Sequence, residues 1–116
     1  MKGKRDYRDF LIDIINAIRD IDNFVTGVNF QSFLGDKEKS YATVHCLEII
    51  GEAVKNIPDE VKEKYQEIPW REIAGMRDRL IHGYFIVDFE KVWETIDRDL
   101  PPLKEVADKI IGELKT

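Results

Sequence analysis

Apolar side chains recur every three or four residues along most of this chain, which is the period of amphipathic α-helices. The first such stretch predicts a helix over residues 5–25. Its apolar stripe consists of Tyr7, Leu11, Ile14, Ile15, Ile18 and Ile21. The second stretch predicts a helix over residues 37–56, which ends before Pro58 because proline disfavours helical backbone in the residue before it. This second helix is apolar on two sides, so we expect it to lie at the centre of its bundle or to face a partner subunit as well.

Two further helical stretches lie in the C-terminal half of the chain. Pro69 suits the first turn of a third helix, and Gly83 lies where that helix could end in a left-handed cap. Asp88 is a favourable N-cap for the last helix. The apolar stripe of this last helix keeps its phase across Pro101 and Pro102, which predicts one long helix with a kink at the prolines.

The segments between these helices are short. Residues 26–37 contain the glycine and polar residues typical of a loop or a short irregular turn. Three apolar side chains are expected to anchor this loop to the core: Phe30, Phe33 and Leu34. Residues 58–68 predict one or two helical turns, and the sequence shows no strand pattern. The predicted fold is therefore all-α, an antiparallel four-helix bundle with a kinked C-terminal helix, in a single domain over residues 1–116.

One glycine stands inside a predicted helix. Gly51 costs the second helix about 1 kcal/mol of helix propensity relative to alanine. The compensation that we expect is close approach of another backbone at this position.

Size and composition limit the class of protein. With 116 residues the chain has the length of one domain. Its single cysteine, Cys46, excludes an intrachain disulfide and is expected to be buried, as in a reducing compartment. No segment approaches the ~20 apolar residues that span a bilayer, and the charged N-terminus differs from a secretory signal. We therefore expect a cytoplasmic protein with no membrane association.

The charge balance limits the kind of partner. The chain has 18 basic and 23 acidic residues and a net charge of -5. Proteins that bind nucleic acid by general electrostatic attraction usually carry a basic excess. A local cleft can still be positive on an acidic protein, so binding of RNA has to depend on a defined site.

Reactive side chains concentrate in one segment, residues 77–84. They are Arg77, Asp78, Arg79, His82 and Tyr84. An arginine fork can hold a phosphate, and histidine can act as a general acid or base near neutral pH. RNA supplies its own nucleophile, the 2′-hydroxyl, so this set suits phosphodiester cleavage without a metal. Outside this segment, His45 is expected to be a surface or interface residue, and no ligand spacing predicts a metal site.

The predicted helix does not bring all of these residues together. Asp78 and His82 are four residues apart and lie within about 40° of each other on a helix, so they can pair. Arg77 and His82 are five apart and lie about 140° apart around the axis. Either the helix end deforms near Gly83, or two copies of the segment meet across a dimer and form a shared site.

These residues resemble a known family. The arginine, histidine and tyrosine at residues 77–84 are similar to the Arg-x4-His-x-Tyr signature of HepT-like toxins, a branch of the HEPN superfamily (higher eukaryotes and prokaryotes nucleotide-binding). The resemblance extends to residues 70–85, 92–96 and 48–53, and it covers nearly the whole chain. It implies an HEPN-like helical bundle that dimerises around the motif and forms a composite active site there.

The resemblance also implies an activity. The implied activity is that of a metal-independent endoribonuclease toxin without a cofactor. Its catalytic residues would be Arg77 and His82, and Asp78 would support Arg77. Arg71 and Arg79 are candidates for contacts to the RNA backbone. The target is left open between transfer RNA and messenger RNA.

The resemblance further implies a cognate antitoxin, with which the chain would form a toxin–antitoxin pair of type II or type VII. Such a partner is a minimal nucleotidyltransferase of the MntA type, which transfers AMP from ATP onto the motif tyrosine, here Tyr84, and silences the toxin. A bulky anionic adduct at this position would occupy the phosphate site and repel RNA.

Two other functions are compatible with the same residues. One is a non-catalytic HEPN binding module, which docks the nucleotidyltransferase and presents Tyr84 without cleaving RNA. The other is a structural dimerisation domain in which His82 merely caps a helix. Of the three functions, the enzyme alone predicts growth arrest that disappears with Arg77→Ala or His82→Ala.

Overall fold

The computed structural model describes residues 6–82 and 86–114, and this part of the chain is predominantly helical. Its helices are α1 (Tyr7–Val25), α2 (Phe30–Gly35), α3 (Lys37–Val54), α4 (Asp59–Lys62), α5 (Trp70–Ala74), α6 (Met76–Leu80), α7 (Phe89–Arg98) and α8 (Leu100–Leu114). A 3₁₀ turn covers Glu63–Tyr65, and the two short strands are β1 (Ile81–His82) and β2 (Ile86–Val87). The predicted all-α fold is confirmed. None of the described helices is long and apolar enough to cross a membrane.

Helices α1 and α3 form the centre of the bundle. Helix α1 packs on α3 and α8, while α3 also packs on α5 and α6. Helix α1 begins after Asp6, whose carboxylate accepts the backbone N–H of Arg8 at 3.0 Å. Buried residues lie on more than one side of α3, which agrees with the first of its two predicted positions, at the centre of the bundle. They include Cys46, where burial and then the charge of Asp20 raise the pKa of the thiol, as expected of an inert core cysteine.

The predicted close approach at Gly51 is confirmed. A Cβ atom at this position would lie 2.9 Å from the carbonyl oxygen of Ile73 and 3.1 Å from the Cβ of Met76. The missing side chain therefore lets the backbone of α5 and α6 lie directly on α3. Helix α6 carries the first residues of the motif, so this contact also fixes their position.

The segment between α1 and α3 contains the short helix α2 where a loop or turn was predicted. Phe33 is fully buried and Phe30 half-buried, and both rings pack near Trp93, with centroids 4.9 and 5.7 Å away. Leu34 is 40% exposed, so the prediction that it anchors this segment to the core is wrong. Its neighbour Phe33 takes the core position, because a short helix turns adjacent residues to different sides.

The predicted third helix is divided and ends early. Gly75 leaves the helical geometry between α5 and α6, and its N–H donates to the carbonyl of Arg71 at 3.0 Å. Helix α6 ends at Leu80, because Ile81 is already extended and pairs with Val87 in a two-residue antiparallel hairpin. The expectation of a chain without strands is therefore wrong for this segment. The predicted cap at residue 83 lies outside the described residues.

The C-terminal segment, for which one long kinked helix was predicted, forms two helices that meet at Asp99. Asp88 caps α7 as predicted, since its carboxylate accepts the N–H of Lys91 at 3.0 Å. The break lies at Asp99 rather than at Pro101 and Pro102, which occupy the first turn of α8. Proline is tolerated there because residues in the first turn have no helical acceptor for their N–H groups.

Candidate active site

Arg77 and Asp78 lie on the outer surface of α6. Met76 beside them is fully buried against Gly51 of α3, and this contact turns the next two residues toward solvent. Both side chains line an open cleft of about 300 Å³ between α6 and the end of α3. The cleft is lined by Glu52, Lys55, Ala74, Gly75, Arg77 and Asp78.

The cleft contains charges of both signs. On its α3 side, Lys55 pairs with Glu52 at 3.0 Å, and both side chains are largely exposed. Within residues 6–82 and 86–114, Arg77 forms no ion pair with a carboxylate. Its guanidinium group is therefore available to an anionic ligand, as a phosphate clamp has to be.

His82 lies on β1 and not on the helix. It pairs with Ile86 in the hairpin, and its side chain is 59% exposed. The predicted helical pairing of Asp78 with His82, four residues apart, is therefore wrong, because α6 ends at Leu80 and the chain leaves the helix before His82. The carboxylate that His82 faces is Asp88, with 4.0 Å between Nε2 and Oδ2.

Asp88 connects three parts of the site. Its backbone N–H donates to the carbonyl of Leu80 at 2.7 Å, which ties the end of α6 to the start of α7. One carboxylate oxygen caps α7 and the other faces His82. The sequence indicates the cap, but no sequence signal indicates the second role, because it depends on how the hairpin folds back.

Arg79 lies on the opposite side of α6 from the cleft. Its guanidinium group is 3.8 Å from the carboxylate of Asp99, whose side chain is only 13% exposed. Burial raises the pKa of Asp99, and the nearby charges of Arg79 and Arg98 oppose this shift. Arg71, on α5, is exposed. Contacts from Arg71 and Arg79 to RNA stay a prediction.

The remaining candidates give no further ligand set. His45 is exposed on α3, as predicted, and lines a groove of about 350 Å³ between α1 and α3 with Phe10 and Ile49. Across residues 6–82 and 86–114, no group of three or more potential metal-binding side chains lies close enough together to hold an ion. Tyr84 lies outside the described residues, so its predicted modification stays a prediction.

The motif thus presents two exposed groups on either side of the junction between α6 and β1. Arg77 offers a guanidinium fork, and His82 offers an imidazole beside a carboxylate. Among the described residues, no hydrogen bond or ion pair joins these two side chains to each other. Chemically, the arrangement can bind an anion and transfer a proton.

Comparison with known proteins places the motif inside a family match. Residues 14–110 match the family described as Ribonuclease HepT-like. A protein of Methanocaldococcus jannaschii named "Putative RNase MJ0125" is 48% identical over 112 residues, which are 97% of each chain. "Probable ribonuclease HepT" of Thermococcus cleftensis is 49% identical over 107 residues, 92% of this chain and 97% of its own. No solved structure matches the chain significantly.

Proposed function

The chain belongs to the HepT-like ribonuclease family, and from this premise we propose that it is an endoribonuclease that cleaves RNA without a metal ion. The observation that carries the proposal is the position of Arg77 and His82. Both are exposed at one helix–strand junction, and Arg77 has no carboxylate partner within the described residues. Arg77 is the phosphate clamp, His82 is the general acid or base, and Asp78 supports Arg77.

The reaction needs no nucleophile from the protein. A base removes the proton of the 2′-hydroxyl, and the 2′-oxygen attacks the adjacent phosphorus atom. The bond from phosphorus to the 5′-oxygen breaks, and an acid donates a proton to this leaving oxygen. The products are a 2′,3′-cyclic phosphate and a free 5′-hydroxyl. The charge that develops on the phosphate oxygens is stabilised by Arg77.

A homodimer with a composite site brings the two catalytic groups together. Arg77 of one copy holds the phosphate, and His82 of the other copy removes the proton from the 2′-hydroxyl and returns it to the leaving 5′-oxygen. Two exposed apolar side chains, in the hairpin and beside the first residue of α7, support this arrangement. Ile86, opposite His82 in the hairpin, is 65% exposed, and Tyr41, which packs on Phe89, is 55% exposed. Contact between two copies would remove such apolar area from water.

The biological role that we propose is that of a toxin in the cytoplasm, with transfer RNA or messenger RNA as substrate. A nucleotidyltransferase antitoxin of the MntA type neutralises it by adding AMP to Tyr84. The motif places this tyrosine two residues after His82. The added phosphate then carries negative charge into the region where RNA has to bind.

The test is cleavage of RNA by protein expressed without any partner, with a chelator present. We expect wild-type protein to cleave, and His82→Ala to lower the rate by ~10²–10⁴-fold, the usual contribution of general acid–base catalysis. His45→Ala is the matched control, because it removes an exposed histidine from α3. Intact mass measured on the same sample shows whether Tyr84 is unmodified.

Other outcomes would point elsewhere. Unmodified wild-type protein that leaves a panel of transfer and messenger RNA intact would exclude the enzyme. That result would favour the binding module that docks a nucleotidyltransferase. Equal losses in the two alanine variants would show that His82 has no special role.

A further inference from the structure

The two carboxylate oxygens of Asp88 have separate partners. Oδ1 accepts the backbone N–H of Lys91 at 3.0 Å and caps α7. Oδ2 lies 4.0 Å from Nε2 of His82. Because the cap and the bond from the Asp88 N–H to the carbonyl of Leu80 hold this residue at both backbone and side chain, Oδ2 has a fixed direction.

His82 needs such a partner more than a buried histidine would. Its side chain is 59% exposed, and it lies on a strand of only two residues. An exposed ring has several rotamers of similar energy, and productive proton transfer requires one defined orientation. Asp88 is less exposed, at 37%, and is anchored by α7.

We propose that Asp88 is a positioning residue for the proton transfer by His82, a role that rests on the ribonuclease function proposed above. The carboxylate accepts a hydrogen bond from Nε2–H once a small rotation of the exposed ring closes the 4.0 Å gap between Nε2 and Oδ2. In the neutral ring the proton then resides on Nε2. Nδ1 is consequently the nitrogen that accepts a proton from the RNA or returns it.

Asp88→Asn separates this role from helix capping. Asparagine is as good an N-cap as aspartate, so its side-chain oxygen keeps the bond to the N–H of Lys91. The NH₂ group of the amide then faces Nε2. Because this group donates a hydrogen bond, it favours the tautomer in which Nε2 accepts and the proton is on Nδ1. We expect kcat to fall by about 10- to 100-fold, toward the lower end of general acid–base contributions, with KM nearly unchanged.

The matched control is Asp36→Asn at the start of α3. Asp36 caps its helix in the same way, accepting the N–H of Lys39 at 3.0 Å, but it has no histidine beside it in the described structure. We expect this variant to retain wild-type kcat. Equal kcat losses in the two variants would overturn the positioning role and assign the effect to capping.

The tautomer of the His82 ring can be measured without any activity assay. Nitrogen-15 NMR of the protein at alkaline pH, where histidine rings are neutral, reports which ring nitrogen of His82 carries the proton. We expect Nε2–H in the wild type and a shift toward Nδ1–H in Asp88→Asn. The same tautomer in both proteins would overturn the proposal.

Failure of this proposal differs from failure of the enzyme function. An active wild type with a fully active Asp88→Asn variant would remove the role of Asp88 alone. A wild type that cleaves no RNA would remove the enzyme function, and the role of Asp88 with it.

Discussion

At the scale of single residues, the two arginines that flank Asp78 differ in what surrounds them. Arg77 faces an open cleft, whereas Arg79 lies against Asp99 between α6 and the junction of α7 and α8. Loss of Arg79 would leave a mostly buried carboxylate without its cation, so its substitution affects stability as well as any contact to RNA. Loss of activity in an Arg79 variant therefore has to be separated from unfolding before it is assigned to the site.

The carboxyl group of Asp99 is expected to make the stability of the protein depend on pH. Burial raises the pKa of Asp99 in the folded protein above its ordinary value, despite Arg79. Between the two pKa values the folded state binds more protons than the unfolded state, so the free energy of unfolding falls as pH rises through this window. We expect Asp99→Asn to remove this slope and to be more stable than the wild type at neutral pH.

The measurement is urea unfolding of both proteins from about pH 4 to 7, a range that begins near the ordinary aspartate pKa. Asp108→Asn is a suitable control, because Asp108 is an exposed partner of Lys104 on α8. A wild type whose stability rises across this range relative to Asp99→Asn would contradict the prediction.

At the scale of helices, the site depends on how closely α6 lies against α3. Gly51 permits this approach, and Met76 fills the space beside it. The hairpin then begins where α6 ends, so any displacement of α6 also moves His82. The position of the motif is therefore set from inside the bundle.

Gly51→Ala tests this contact. Its Cβ would lie 2.9 Å from the carbonyl oxygen of Ile73, so α5 and α6 have to move. We expect the free energy of unfolding to fall by about 1–3 kcal/mol, the usual cost of overpacking, although alanine favours a helix by about 1 kcal/mol. Gly112→Ala on α8 is the control, since nothing lies within 4 Å of its Cβ, and we expect a gain there. Urea unfolding of both variants measures the difference, and a stabilised Gly51→Ala would contradict the close contact.

At the scale of the whole molecule, the question is whether one chain holds a complete site. Within the described residues, no hydrogen bond or ion pair joins Arg77 to His82. Two apolar side chains are exposed in this part of the molecule: Ile86, opposite His82 in the hairpin, and Tyr41, which packs on Phe89. The net charge of -5 makes general attraction of RNA weak, so the cations have to be gathered locally. In the proposed homodimer, a second copy would bring another Arg77 and another His82 to the same place.

Mixing two inactive variants tests the composite site. If each site uses Arg77 of one copy and His82 of the other, a heterodimer of Arg77→Ala and His82→Ala chains contains one intact site. With random exchange about half of the dimers are mixed, so we expect about a quarter of wild-type activity. Each variant alone, and the double variant mixed with wild type, serve as controls. No recovery after verified subunit exchange would contradict this arrangement.

The sequence by itself determined the all-α class, the extent of α1 and α3, the close approach at Gly51, the cap at Asp88 and the segment that carries the motif. These features follow from periodic patterns or local backbone preferences, which many residues or one special residue establish. Only the tertiary structure decided the hairpin at His82, its contact with Asp88 and the ion pair of Arg79 with Asp99. Strands of two residues are too short to show a period, and these side-chain partners meet only because the chain reverses after α6 and lays α7 beside it.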